Sequence, residues 1–187
     1  TWTPSGTFGL ANAVTTVRLG LTLGLLAGGL SLSAWTLTLL GVVVIHLDGI
    51  DGWAARRFGT QGDFGARYDV AVDSVFALSL SGVLLARGSL QPWVLIAGAW
   101  YYVYVLAPLV LVTQRAEARR SLLGCTVFIA VVGALAAAFV LPEPWASRLV
   151  GIAMVAQSAS FVRSFWERYG PERALAKGAR VASAVGR

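Results

Sequence analysis

Six apolar runs, parted only by short polar connections, leave this 187-residue chain few ways to fold. They cover roughly residues 13–30, 35–55, 64–85, 93–113, 122–141 and 145–165. A helix needs about 20 apolar residues to cross a bilayer, and short connections suit antiparallel neighbours in a helical bundle. The expected fold is therefore all-α: a polytopic membrane protein with six transmembrane helices in a bundle. Composition agrees, because charged residues make up 13% of the chain against about 25% in a soluble domain. One cysteine and one histidine exclude a disulfide scaffold and a structural zinc site. One domain over 1–170 and a basic cytoplasmic tail over 171–187 are expected. No charged segment precedes the first run, so a cleaved signal peptide is not expected.

The basic residues set an orientation. All but Arg87 and Arg148 of the 15 Lys and Arg residues fall at one end of the runs: Arg18, Arg56, Arg57, Arg67, Arg115, Arg119, Arg120 and those from Arg163 onward. The positive-inside rule puts that side, with both termini, in the cytoplasm of a cell (inner) membrane. Trp35, Trp93 and Trp145 lie near the opposite ends, where indole rings anchor at the interface. The net charge of +6 is then a topology signal, and no nucleic-acid partner is expected. Gly20, Gly24 and Gly28 share one face of the first run and predict a close packing seam.

Acidic charge is concentrated. All five aspartates fall between Asp48 and Asp73, four of them in or beside apolar runs. Asp48 and Asp51 are three apart, and Asp69 and Asp73 four apart, so each pair shares a helical face. A short connection lets the two faces converge. An aspartate at mid-membrane costs about 2.5–3.5 kcal/mol on the insertion scale, and like charges add repulsion. An oxygen-only ligand set suits hard divalent cations, and two of them offset the four negative charges. The alternative is a solvated loop in which the aspartates pair with Arg56, Arg57 and Arg67. Gly52 and Ala55 follow Asp48 on its own face and leave volume beside the carboxylates. Arg56 is placed to fork onto a phosphate, and Gly65 precedes Asp69 and Asp73 in the same way. Metals, space and an arginine together suggest a phosphate-containing ligand.

The pattern Asp48-x2-Asp51-Gly52-x2-Ala55-Arg56-x8-Gly65-x3-Asp69-x3-Asp73 resembles the signature of the CDP-alcohol phosphotransferase (CDP-alcohol phosphatidyltransferase) family at all eight fixed positions. Asn12-x2-Thr15-x2-Arg18 is similar to the family's pattern in the first run. The resemblance implies transfer of a phosphatidyl group from a CDP-linked lipid, such as CDP-diacylglycerol, to a small polar alcohol, with release of CMP. It further implies two divalent cations, Mg²⁺ or Mn²⁺, with Asp48 and Asp69 touching both, Asp51 one and Asp73 the other. Asp73 would also be the catalytic base. Gly52, Ala55, Arg56, Gly62 and Gly65, with Asn12 and Thr15, would line the CDP site, in a homodimer whose cavity opens to the cytoplasm and the bilayer.

The acceptor is less legible. Val70 and Ser74 depart from the proline and lysine typical of phosphatidylglycerophosphate synthases. Arg67, Arg115, Arg119 and Arg120 form either a pocket for a phosphorylated acceptor or an ordinary basic loop. His46 lies about 200° around its helix from Asp48 and is expected to face away. A second function class stays open here: a cation-coupled transporter or ion pathway using the acidic cluster. Against it, the acids gather at one membrane side rather than at the midplane.

Overall fold

The computed structural model describes residues 8–57, 62–99, 102 and 122–169. Within them the fold is all-α: α1 (Leu10–Gly28), α2 (Ala34–Arg57), α3 (Asp63–Ala86), a 3₁₀ turn (Pro92–Leu95), α4 (Leu122–Ala137) and α5 (Trp145–Tyr169). Local chemistry sets several of the ends. Ser33 caps α2, its Oγ accepting the Thr36 backbone N–H at 3.1 Å. Gly88 takes φ 69° where the chain turns after α3, a conformation that costs glycine little. Arg87 then donates from Nη2 to the Leu32 carbonyl at 2.6 Å, tying the end of α3 to the α1–α2 connection.

Among the described residues only two helices, Leu10–Gly28 and Phe64–Ala86, are both long and apolar enough to cross a membrane. This corrects the expectation of six transmembrane helices. The reasons lie in the residues. The apolar part of α2 is Ala34–Ile50, a short stretch that runs out around Asp48 and Asp51. That of α4, Gly124–Ala137, is also short of a bilayer's thickness. Arg148, Gln157 and Arg163 interrupt α5. The run expected over 93–113 begins in a 3₁₀ turn, and most of it lies outside the described residues, as does the tail expected over 171–187.

α1 packs more closely on α2 and on α3 than these two pack on each other. Pairs such as Asn12 with Gly65 and Thr16 with Tyr68 show that α1 and α3 run parallel. On the far side α4 packs against α2, α3 and α5. A Cβ on Gly41 would stand 3.0 Å from the Ala136 Cβ, so glycine lets α2 approach α4. Thr38 Oγ1 donates across that contact to the Ala136 carbonyl at 2.9 Å. The apolar core gathers Leu25, Leu37, Leu80, Leu84, Leu135 and Val150, one or more from every helix.

The buried face of α1 is its polar one. Asn12, Thr15, Arg18 and Thr22 recur at helical spacing and are buried with Leu25, whereas Val17, Leu23, Leu26 and Leu30 are exposed. An apolar helix that hides its polar side chains and shows its leucines is built for a lipid solvent. Among the described residues no helix packs on the glycine seam expected at Gly20, Gly24 and Gly28: nothing stands within 4 Å of a Cβ placed on Gly20 or Gly24, and one on Gly28 would meet only Leu32. The arginine and threonines, which need protein partners, have taken the inward face instead.

Candidate active site

Three carboxylates converge where α1, α2 and α3 meet. Asp48 comes from α2, while Asp69 and Asp73 stand one turn apart on α3. One oxygen from each lies within 4.8 Å of the others. Between them sits Arg18 of α1, 1% exposed. Its Nη1 lies 3.0 Å from Asp48 Oδ1 and donates to Asp69 Oδ1 at 2.8 Å. Its Nη2 donates to Asp73 Oδ1. The three acids are themselves only 14–19% exposed, so the cluster is sheltered but reachable.

The donor set fits a hard cation. Opposed oxygens around Mg²⁺ are about 4.2 Å apart and around Ca²⁺ about 4.8 Å, and the trio spans no more than 4.8 Å. The formal charge of three aspartates and one arginine is −2, which one divalent ion neutralises. Asp48, Asp69 and Asp73 are therefore able to coordinate a divalent cation.

Asn12 and Thr15 are buried on α1 beside the cluster. The Asn12 amide donates to the Phe8 carbonyl at 2.6 Å, and Thr15 Oγ1 to the Ala11 carbonyl at 3.1 Å. Gly65 packs beneath Asn12: a Cβ there would stand 2.8 Å from Asn12 Oδ1. Its smallness serves the α1–α3 approach rather than open volume. Gly62 is the extended residue before α3, at φ −154°, and Gly52 is half-buried on α2. The backbone of Asp51, Ala55 and Arg56 continues α2, but their side chains lie outside the described residues, as do Arg115, Arg119 and Arg120. Arg67 is exposed on α3. His46 is also exposed, its Nδ1 2.8 Å from the Val42 carbonyl, and stands apart from the trio.

Arg18 is the residue that sequence reasoning undervalued. It counted as a topology marker and a motif position, yet it is the buried partner of three acids. A signal was present, since a lone arginine on the same helical face as Asn12, Thr15 and Thr22 in an apolar helix needs an acidic partner. Thr16 and Tyr68 extend the contact, their hydroxyls 3.0 Å apart.

Comparison with protein families then decides the class, because the CDP-alcohol phosphatidyltransferase profile matches residues 8–163. The chain belongs to the CDP-alcohol phosphatidyltransferase family. Comparison with curated proteins found no match. As a CDP-alcohol phosphatidyltransferase it is a membrane-associated enzyme of lipid metabolism that transfers a substituted phosphate group. Its family implies a CDP-linked lipid donor and an alcohol acceptor, and the acidic trio is what a metal-dependent phosphotransferase site requires. The transferase reading thus prevails over the cation pathway.

Proposed function

We propose that this enzyme transfers a phosphatidyl group from CDP-diacylglycerol to the hydroxyl of a small polar alcohol and releases CMP. The observation that carries the proposal is the convergence of Asp48, Asp69 and Asp73 from two helices onto one point, within a chain of this family. Asp48, Asp51, Asp69 and Asp73 are assigned as ligands of two divalent cations, Mg²⁺ or Mn²⁺. When bound, such cations polarise phosphoryl oxygens and offset charge that develops at phosphorus.

The chain's own residues do the rest. Asp73 accepts the proton of the incoming hydroxyl. Arg18 already holds its Oδ1, so Oδ2 is the atom assigned to that task. The alcohol oxygen forms a bond to the lipid-side phosphorus as the bond between that phosphorus and the bridging pyrophosphate oxygen breaks, and CMP leaves. Asn12, Thr15, Gly52, Ala55, Arg56, Gly62 and Gly65 are assigned to the CDP side of the site. The positive-inside pattern assigns that side to the cytoplasm, and a homodimer is the assembly proposed. A phosphorylated acceptor would be met by Arg67 together with Arg115, Arg119 and Arg120.

The test is CMP release by the purified protein in detergent, with CDP-diacylglycerol, Mg²⁺ or Mn²⁺, and a panel of alcohols that includes glycerol 3-phosphate and an inositol phosphate. Acceptor-dependent CMP release supports the proposal. No CMP release with any alcohol at saturating metal contradicts it.

A further inference from the structure

Arg18 is buried deeper than the acids it serves, and its contacts are directional. Nη1 is shared between Asp48 Oδ1 at 3.0 Å and Asp69 Oδ1 at 2.8 Å, and Nη2 goes to Asp73 Oδ1. A guanidinium is planar, so these donors fix where the three carboxylates stand relative to one another. Nothing else described ties all three. α2 and α3 pack less closely on each other than on α1, so it is Arg18, from α1, that joins the Asp48 side of the site to the α3 side. Thr15 and Thr22 are buried on the same face of α1 as Arg18, and Thr22 Oγ1 donates to the Arg18 backbone carbonyl at 2.8 Å. Removing the guanidinium would leave three like charges close together, where they repel. A buried charge of this kind is retained at a cost in desolvation.

We propose that Arg18 is a positioning residue, whose guanidinium holds Asp48, Asp69 and Asp73 at one spacing so that a divalent cation meets an already assembled trio. The inference rests on the reading of the trio as the metal centre. It assigns Arg18 no contact with either substrate.

Arg18→Lys keeps the charge and loses the planar fork, so it isolates geometry. The probe is Mn²⁺ alone, its binding followed by electron paramagnetic resonance on the purified, folded protein. Mn²⁺ affinity is expected to weaken about 10–100-fold, the range for losing a group that orients metal ligands. The half-saturating Mn²⁺ for CMP release should rise in step, with kcat largely recovered at saturating Mn²⁺. Unchanged Mn²⁺ affinity, with only thermal stability lowered, would overturn the proposal. Normal Mn²⁺ binding with kcat lost at every Mn²⁺ concentration would do the same, by placing Arg18 on the substrate.

A second measurement needs no change at Arg18. Spin labels at Val43→Cys on α2 and Leu78→Cys on α3, both exposed positions, in a Cys125→Ser background report how α2 stands against α3. The distance distribution should be the same with chelator and with Mg²⁺. A pair that closes up only when Mg²⁺ is added would mean that the ion assembles the site, against the proposal. Asp69→Asn separates the two layers of inference. If it binds Mn²⁺ as wild type does, the metal centre itself is misplaced. If it loses Mn²⁺ while Arg18→Lys binds normally, only the role of Arg18 fails.

Discussion

Asp69 and Asp73 stand one turn apart on α3, yet their surroundings differ. Asp69 shares the Arg18 Nη1 with Asp48, whereas Asp73 alone receives Nη2. That asymmetry suits a division of labour in which Asp73 also handles the proton. Asp73→Asn keeps the shape and removes the acceptor, so CMP release should fall by about 10²–10⁴ while CDP-lipid and at least one Mn²⁺ stay bound. Turnover within a few-fold of wild type would reduce Asp73 to a charge. Gly52→Leu should obstruct the CDP moiety without unfolding the bundle, and unchanged CMP affinity by calorimetry would remove Gly52 from the CDP side. Gly65 makes a different prediction. Alanine there presses on the Asn12 amide, which is held by the Phe8 carbonyl. Gly65→Ala should lower the melting temperature, and Asn12→Ala should relieve it, with a coupling of about 0.5–3 kcal/mol. Additive losses would show that the two do not touch.

At the scale of the helix, the α2–α4 contact is a close one to perturb. A leucine at Gly41 drives its Cβ against Ala136 and should cost about 1–3 kcal/mol, as overpacking does. A thermal melt unchanged from wild type would contradict that packing. Helix positions were largely legible in the sequence. Runs read at 13–30, 35–55 and 64–85 correspond to α1, α2 and α3 within a few residues, because Gly, Ser and charged residues bound the apolar stretches. What was not legible was length in the membrane sense, since α2 continues as a helix past its apolar part through Asp48, Asp51 and Arg56. Nor was the rotation of α1. Three glycines at four-residue spacing suggested the packed face, but Arg18 can be buried only against acids, and the acids lay some 30 to 55 residues away in sequence. Pairing over that separation is decided by tertiary structure. Spacing alone brought Asp48, Asp69 and Asp73 to one site, together with Asp51, whose side chain lies outside the described residues, but it did not say which acids Arg18 meets.

For the whole molecule, the inside-out character of α1, the two long apolar helices and the family assignment agree on a membrane-associated transferase. The three aspartates around Arg18 form one acidic centre whose formal −2 invites a divalent ion. That arrangement predicts strict metal dependence in place of a purely arginine-based stabilisation of phosphate. The most direct test follows CMP release from CDP-diacylglycerol by the purified enzyme, first in excess chelator and then on titration with Mg²⁺ or Mn²⁺. Release should be abolished by the chelator, return with either ion, and fail to return in Asp48→Asn at the ion concentration that restores wild type. Full CMP release in excess chelator would contradict the account.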